Sequence, residues 1–112
     1  MIKLYVGNIP RAEKFYGALF GAKLAVKLGK YAQIVTFPKG PGLALLQKTA
    51  ADKNKVGGFI IQVPSLSATR ALAVANGAKV QGKYAGTPAS QAAQSIDLLD
   101  PWGNNVEILQ LG

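Results

Sequence analysis

The 112-residue chain contains no cysteine and no histidine. The first absence removes disulfides and thiolate chemistry, and the second removes the commonest metal ligand and general base. Acidic residues are scarce: five Asp and Glu stand against thirteen Lys and Arg, for a formal net charge of +8. No run approaches the roughly 18 apolar residues that a membrane-spanning helix needs, and no basic-then-apolar leader opens the chain. A cytoplasmic protein with no membrane partner is therefore expected. No Ser-His-Asp, Cys-His or phosphate-loop pattern is present either.

What is there suffices for one packed domain over residues 1–112, since 49% of the residues are apolar. The positive charge suits an anionic partner in principle. The lysines are spread along the sequence, however, and only Asp52-Lys53-Asn54-Lys55 is locally dense, with no aromatic residue among them. Nucleic acid is thus not the expected partner.

The order of elements repeats. Ile2 to Gly7 reads as a strand, Asn8 as a helix cap, and Ala12, Phe15, Tyr16 and Leu19 recur at helical spacing up to a stop at Gly21. Lys23 to Leu28, Tyr31 to Phe37 and Leu43 to Gln47 read as three further strands, with the turn cluster Pro38-Lys39-Gly40-Pro41-Gly42 between the last two. A polar linker over 49–56 follows. The second half opens on the strand Phe59 to Val63, with Ser65 as the next cap and Gly77 as the next helix stop. Gly21-Ala22-Lys23-Leu24 matches Gly77-Ala78-Lys79-Val80, and Leu43-Ala44-Leu45-Leu46-Gln47 matches Val106-Glu107-Ile108-Leu109-Gln110. The reading is α+β: two βαβββ modules, 1–48 and 57–112, joined by the linker. Gly82 to Gln94, rich in Ala, Ser and Gly, reads as a mobile loop able to cover a cleft.

The segment Asp100-Pro101-Trp102-Gly103-Asn104-Asn105-Val106-Glu107-Ile108-Leu109-Gln110 joins a tight turn to a strand with one carboxylate among apolar residues. Alternation sets Glu107 on the face opposite Val106 and Ile108. This segment resembles the closing motif of the vicinal oxygen chelate superfamily of glyoxalase I, extradiol dioxygenases, and fosfomycin- and bleomycin-resistance proteins. Val6-Gly7-Asn8-Ile9-Pro10-Arg11-Ala12-Glu13-Lys14-Phe15-Tyr16, then Leu19-Phe20-Gly21-Ala22, is similar to the family's first strand, turn and helix. The resemblance implies one curved mixed sheet around a cleft, with helices outside and a homodimeric assembly.

It also implies four inward positions that hold a metal in the metal-using relatives. Here they carry Met1, Ala44, Gly58 and Glu107. One carboxylate is short of the about three or four protein ligands that a stable zinc site requires. No metal and no cofactor are expected. Alternation then selects Lys3, Tyr5, Leu46, Ile60, Gln62, Asn105 and Glu107 as a ligand-binding lining, with Leu109 beside Glu107. Trp102, expected to be the most exposed aromatic, is placed at the rim or in a dimer contact. Tyr5 and Gln62 suit a packing role equally well, and Tyr31, Phe37 and Tyr84 suit it better. Glu107 is the one catalytic candidate, with Lys3 as a partner that shifts both pKa values or as a plain ion pair.

The expected function is metal-free sequestration of a small apolar or anionic molecule by a homodimer. The alternatives are a glyoxalase-like lyase or isomerase using Glu107, and a non-catalytic interaction protein with a vestigial cleft.

Overall fold

The structure, a computed structural model, describes residues 1–84 and 93–111. It divides into two compact units, Met1–Gly57 and Gly58–Gly112. The first contains β1 (Ile2–Val6), α1 (Ile9–Phe20), β2 (Lys23–Lys27), β3 (Ala32–Thr36), β4 (Gly42–Gln47) and a short 3-10 turn, Ala50–Asp52. The second contains β5 (Gly58–Gln62), α2 (Leu66–Ala75), β6 (Lys79–Tyr84), β7 (Ala93–Leu99) and β8 (Asn105–Leu111). Each unit is a four-stranded mixed sheet, ordered β1-β4-β3-β2 in one and β5-β8-β7-β6 in the other. The α+β architecture of two βαβββ modules is as the repeat predicts.

The same local devices build both units. Asn8 accepts a hydrogen bond on Oδ1 from the Arg11 amide at 3.0 Å, and Ser65 Oγ accepts one from the Ala68 amide at 3.2 Å. Both satisfy a donor that a helix start leaves unpaired. Gly21 ends α1 in the left-handed region at φ 70°, where a side chain would be strained. Helix α1 buries Ile9, Ala12, Phe15 and Tyr16. These meet Leu4, Val6, Val35, Leu43 and Leu45, every second residue of their strands. In the second unit Leu66 and Ala73 of α2 and Val63, Ile96, Leu98, Val106 and Ile108 are the buried counterparts.

Two local expectations are corrected. The stretch expected as a plain linker folds against the first unit. Asp52 accepts from the Thr49 hydroxyl at 2.8 Å and the Thr49 amide at 3.2 Å, and Lys55 Nζ lies 3.3 Å from its other oxygen. The Thr49 donors first, and then Lys55, hold the Asp52 carboxyl below its ordinary range. Glu13 on α1 is half-buried, because the buried Gln33 amide needs an acceptor and donates to Glu13 Oε2 at 2.8 Å. The loop expected over 82–94 is shorter, since Gly82 and Tyr84 extend β6, and Ala93 and Gln94 open β7. Its remainder, 85–92, lies outside the described residues.

Gly57 closes the first unit against its edge strand. A Cβ added there would overlap the carbonyl oxygen of Lys3 and press on Leu4 Cδ2 at 2.9 Å. Backbone cannot yield as a flexible side chain does. Gly57→Ala should therefore destabilise the protein by about 1–3 kcal/mol. Urea unfolding measures this, and an unchanged midpoint would show that the 49–57 segment does not pack this way.

Candidate ligand-binding faces

Because alternate strand residues point to α1 in the first unit and to α2 in the second, the others line the opposite face of each sheet. In the first unit the register sets Lys3 of β1 beside Ala44 of β4, Ile34 of β3 and Val26 of β2 in one row. Tyr5, Leu46 and Ala32 form a second row. Lys3 is exposed, and Tyr5 and Leu46 are half-buried. Lys55 Nζ sits 5.6 Å from the centroid of the Tyr5 ring, a cation–π distance. The predicted residues Lys3, Tyr5 and Leu46 thus share one apolar face with basic edges.

In the second unit Gly58, Asn105 and Leu99 form one row, Ile60, Glu107 and Asp97 a second, and Gln62, Leu109 and Ser95 a third. The predicted residues Ile60, Gln62, Asn105 and Glu107 share this face. Glu107 is half-buried between Ile60, which is 64% exposed, and Asp97. Among the described residues no side chain donates a hydrogen bond to Glu107. Asn105 directs Nδ2 toward Gln81 Oε1 at 3.4 Å.

Asp97 is the residue the sequence reading missed. It faces Glu107 across the antiparallel pair, where Cβ atoms lie about 4.5–5.5 Å apart. The signal was available. The turn is symmetric about Trp102, so each residue of β7 pairs with the residue of β8 equally distant from it, as Leu99 does with Asn105. Opposed like charges weaken a sheet, so this pair is a cost that the fold carries at its most polar spot.

The turn itself is tightly held. Asp100, buried, accepts on Oδ1 from the amides of Trp102 at 2.9 Å and Asn104 at 2.8 Å, and on Oδ2 from Asn104 Nδ2 at 2.8 Å. The same turn corrects the placement of Trp102. It is half-buried, whereas Tyr31 is 62% exposed.

The donor set does not fit a metal of the family's type. Of the four inward positions, Met1 is an exposed thioether, Ala44 a methyl and Gly58 a hydrogen, and Glu107 alone offers oxygen. Among the described residues no three of His, Cys, Asp and Glu converge. A depression of about 460 Å³ does occur in the second unit, but on the helix side, lined by Leu66, Ser67, Arg70, Gln94, Ile96 and Gln110. None of the predicted site residues reaches it. Among the described residues no helix is long and apolar enough to cross a membrane.

No curated protein matches the chain. Among solved structures it is similar to a glyoxalase/bleomycin resistance protein/dioxygenase family enzyme from Burkholderia phytofirmans PsJN, at 16% identity and TM-score 0.78, covering 98% of this chain and 95% of that one. Lactoylglutathione lyase from Agrobacterium tumefaciens is similar at 20% identity and TM-score 0.67, covering 96% and 89%. The genomically encoded fosfomycin resistance protein FosX from Listeria monocytogenes is similar at 15% identity and TM-score 0.76, covering 99% and 90%. At these identities the likeness is one of fold. The family model for the Glyoxalase/Bleomycin resistance protein/Dioxygenase superfamily matches residues 1–108, nearly the whole sequence, and the chain belongs to that superfamily.

Proposed function

We propose that the protein binds and sequesters a small molecule without a metal, as a homodimer. The observation that carries this reading is Ala44. It sits at the centre of the first unit's open face, between Lys3 and Ile34, at the position that repeats Glu107. A methyl group there offers apolar contact and no coordination. Lys3 and Lys55 at the edge favour an apolar molecule or one that carries an anionic group. On the second unit's face, Glu107 and Asp97 accept from hydroxyl or amide groups, and Ile60 and Leu109 supply apolar contact.

A second reading is supported by the Asp97–Glu107 juxtaposition. Two carboxylates opposed across one strand pair suit a lyase or isomerase in which Glu107 moves a proton. Calorimetric titration with a panel of apolar and anionic molecules, elemental analysis, and turnover of hemithioacetals separate the two readings. Sequestration expects saturable binding, no bound metal and no turnover. One metal ion per chain, or catalysis, overturns it, and light scattering of a monomer overturns the dimer.

Glu107→Gln keeps the shape and removes the charge. It should leave the unfolding midpoint unchanged or slightly raised, since the opposed charge on Asp97 is relieved. It should weaken ligand binding by about tenfold, the effect of losing one charge-assisted hydrogen bond. Unchanged affinity would make Glu107 a structural residue.

A further inference from the structure

The net charge of the protein is not shared between its units. Residues 1–57 hold ten Lys and Arg against two Asp and Glu, a net of +8, whereas residues 58–112 hold three of each and are neutral. Within the first unit, both acidic groups are engaged. Glu13 accepts from Gln33 and Asp52 is paired with Lys55.

The β2–β3 connection, Leu28-Gly29-Lys30-Tyr31, projects from this basic unit. Its closing hydrogen bond runs from the Leu28 amide to the Ala32 carbonyl at 3.0 Å. Gly29 turns the chain at φ 79°, and a Cβ added there meets nothing within 4 Å. Leu28 is 55% exposed and Tyr31 62% exposed. Lys27 and Lys30 flank them, and Lys30 Nζ lies 5.2 Å from the centroid of the Tyr31 ring. The Gln47 amide donates to the Tyr31 carbonyl at 2.8 Å, which ties the tip to the end of β4 next to Lys48. Because β1 runs parallel to β4, the start of α1 with Arg11 lies toward the same end.

This end combines two features that seldom share a free surface: clustered cations and projecting apolar side chains. We propose that it docks reversibly on an anionic lipid bilayer, with Leu28 and Tyr31 entering the headgroup boundary and Lys27, Lys30 and Lys48 meeting lipid phosphates. Tyrosine suits that boundary because its ring is apolar and its hydroxyl wet, and lysines extend from apolar stems to the charged plane. A second copy of the chain is a poorer occupant, since it would set lysines against lysines. A nucleic acid strand would use the lysines and leave Leu28 without a partner, and the Lys30 ammonium already lies over the Tyr31 ring.

Sedimentation of the full chain with phosphatidylcholine vesicles, with and without phosphatidylglycerol, tests the proposal. Binding should require phosphatidylglycerol and weaken as salt rises. Lys27→Gln with Lys30→Gln should lower the partition coefficient by about thirtyfold, each lysine contributing roughly fivefold near an anionic surface. Leu28→Ser with Tyr31→Ser should lower it by at least about tenfold. Arg70→Gln with Lys79→Gln, in the neutral unit, should change nothing. Circular dichroism and urea unfolding establish that each variant is folded. Any of three results overturns the proposal: no sedimentation with phosphatidylglycerol at low salt, equal binding after the Leu28 and Tyr31 changes, or tip variants that turn a dimer into monomers. Tighter binding to a single-stranded oligonucleotide, abolished by the lysine changes, assigns the end to nucleic acid instead.

Discussion

Tyr16→Ala is expected to lower the free energy of unfolding by about 3–5 kcal/mol, the range for truncating a buried aromatic residue. Tyr16 is fully buried and has the largest volume among the residues with almost no exposure. Its ring meets Phe15 edge-on at 4.9 Å between centroids and lies nearly parallel to Phe20 at 6.3 Å. Phe20 in turn meets Phe37 edge-on at 5.9 Å. Removing Tyr16 therefore opens a cavity and also strands an aromatic series that joins α1 to the β3–β4 turn. Since domains of this size are stable by only about 5–15 kcal/mol, the loss is a large fraction of the total. Urea unfolding followed by far-ultraviolet circular dichroism measures it, and a loss below about 1 kcal/mol would mean that the core closes over the gap.

The second large effect is at the β7–β8 turn. Asp100→Ala should cost about 3–5 kcal/mol, because it removes the acceptor of two buried donors, the Asn104 amide and side chain, and of the part-buried Trp102 amide. Asp100→Asn should cost less, since one oxygen remains for the two backbone amides. The consequence extends to the candidate site. This turn sets the register that pairs Asp97 with Glu107, so Asp100→Ala should also weaken ligand binding at temperatures where the protein is still folded. Equal stability of Asp100→Ala and Asp100→Asn would show that the carboxylate does not organise the turn.

The helices, the turn and the repeat were legible because each is coded locally. Asn8 and Ser65 cap, Gly21 stops, and the alternation around Glu107 survives in the register of β8. Glu13 was not legible, because its environment depends on Gln33, twenty residues away on strand β3. The segment over 49–56 looked like a linker because most of its residues are polar. Its fit against β1 depends on Gly57 meeting the Lys3 backbone, a contact between residues that no local pattern connects. The lysines form no dense run apart from Lys53 and Lys55, yet nine of the eleven lie in residues 1–57, the first unit.

The sequence by itself determined the family, the two-module order and the absence of a histidine and cysteine donor set, since these depend on residue identity and spacing along the chain. Only the tertiary structure decided that Asp97 opposes Glu107, that Trp102 is half-buried, and that Leu28 and Tyr31 are exposed among lysines. Strand register and side-chain exposure arise from pairing and packing between distant residues, and one-dimensional order does not contain those distances.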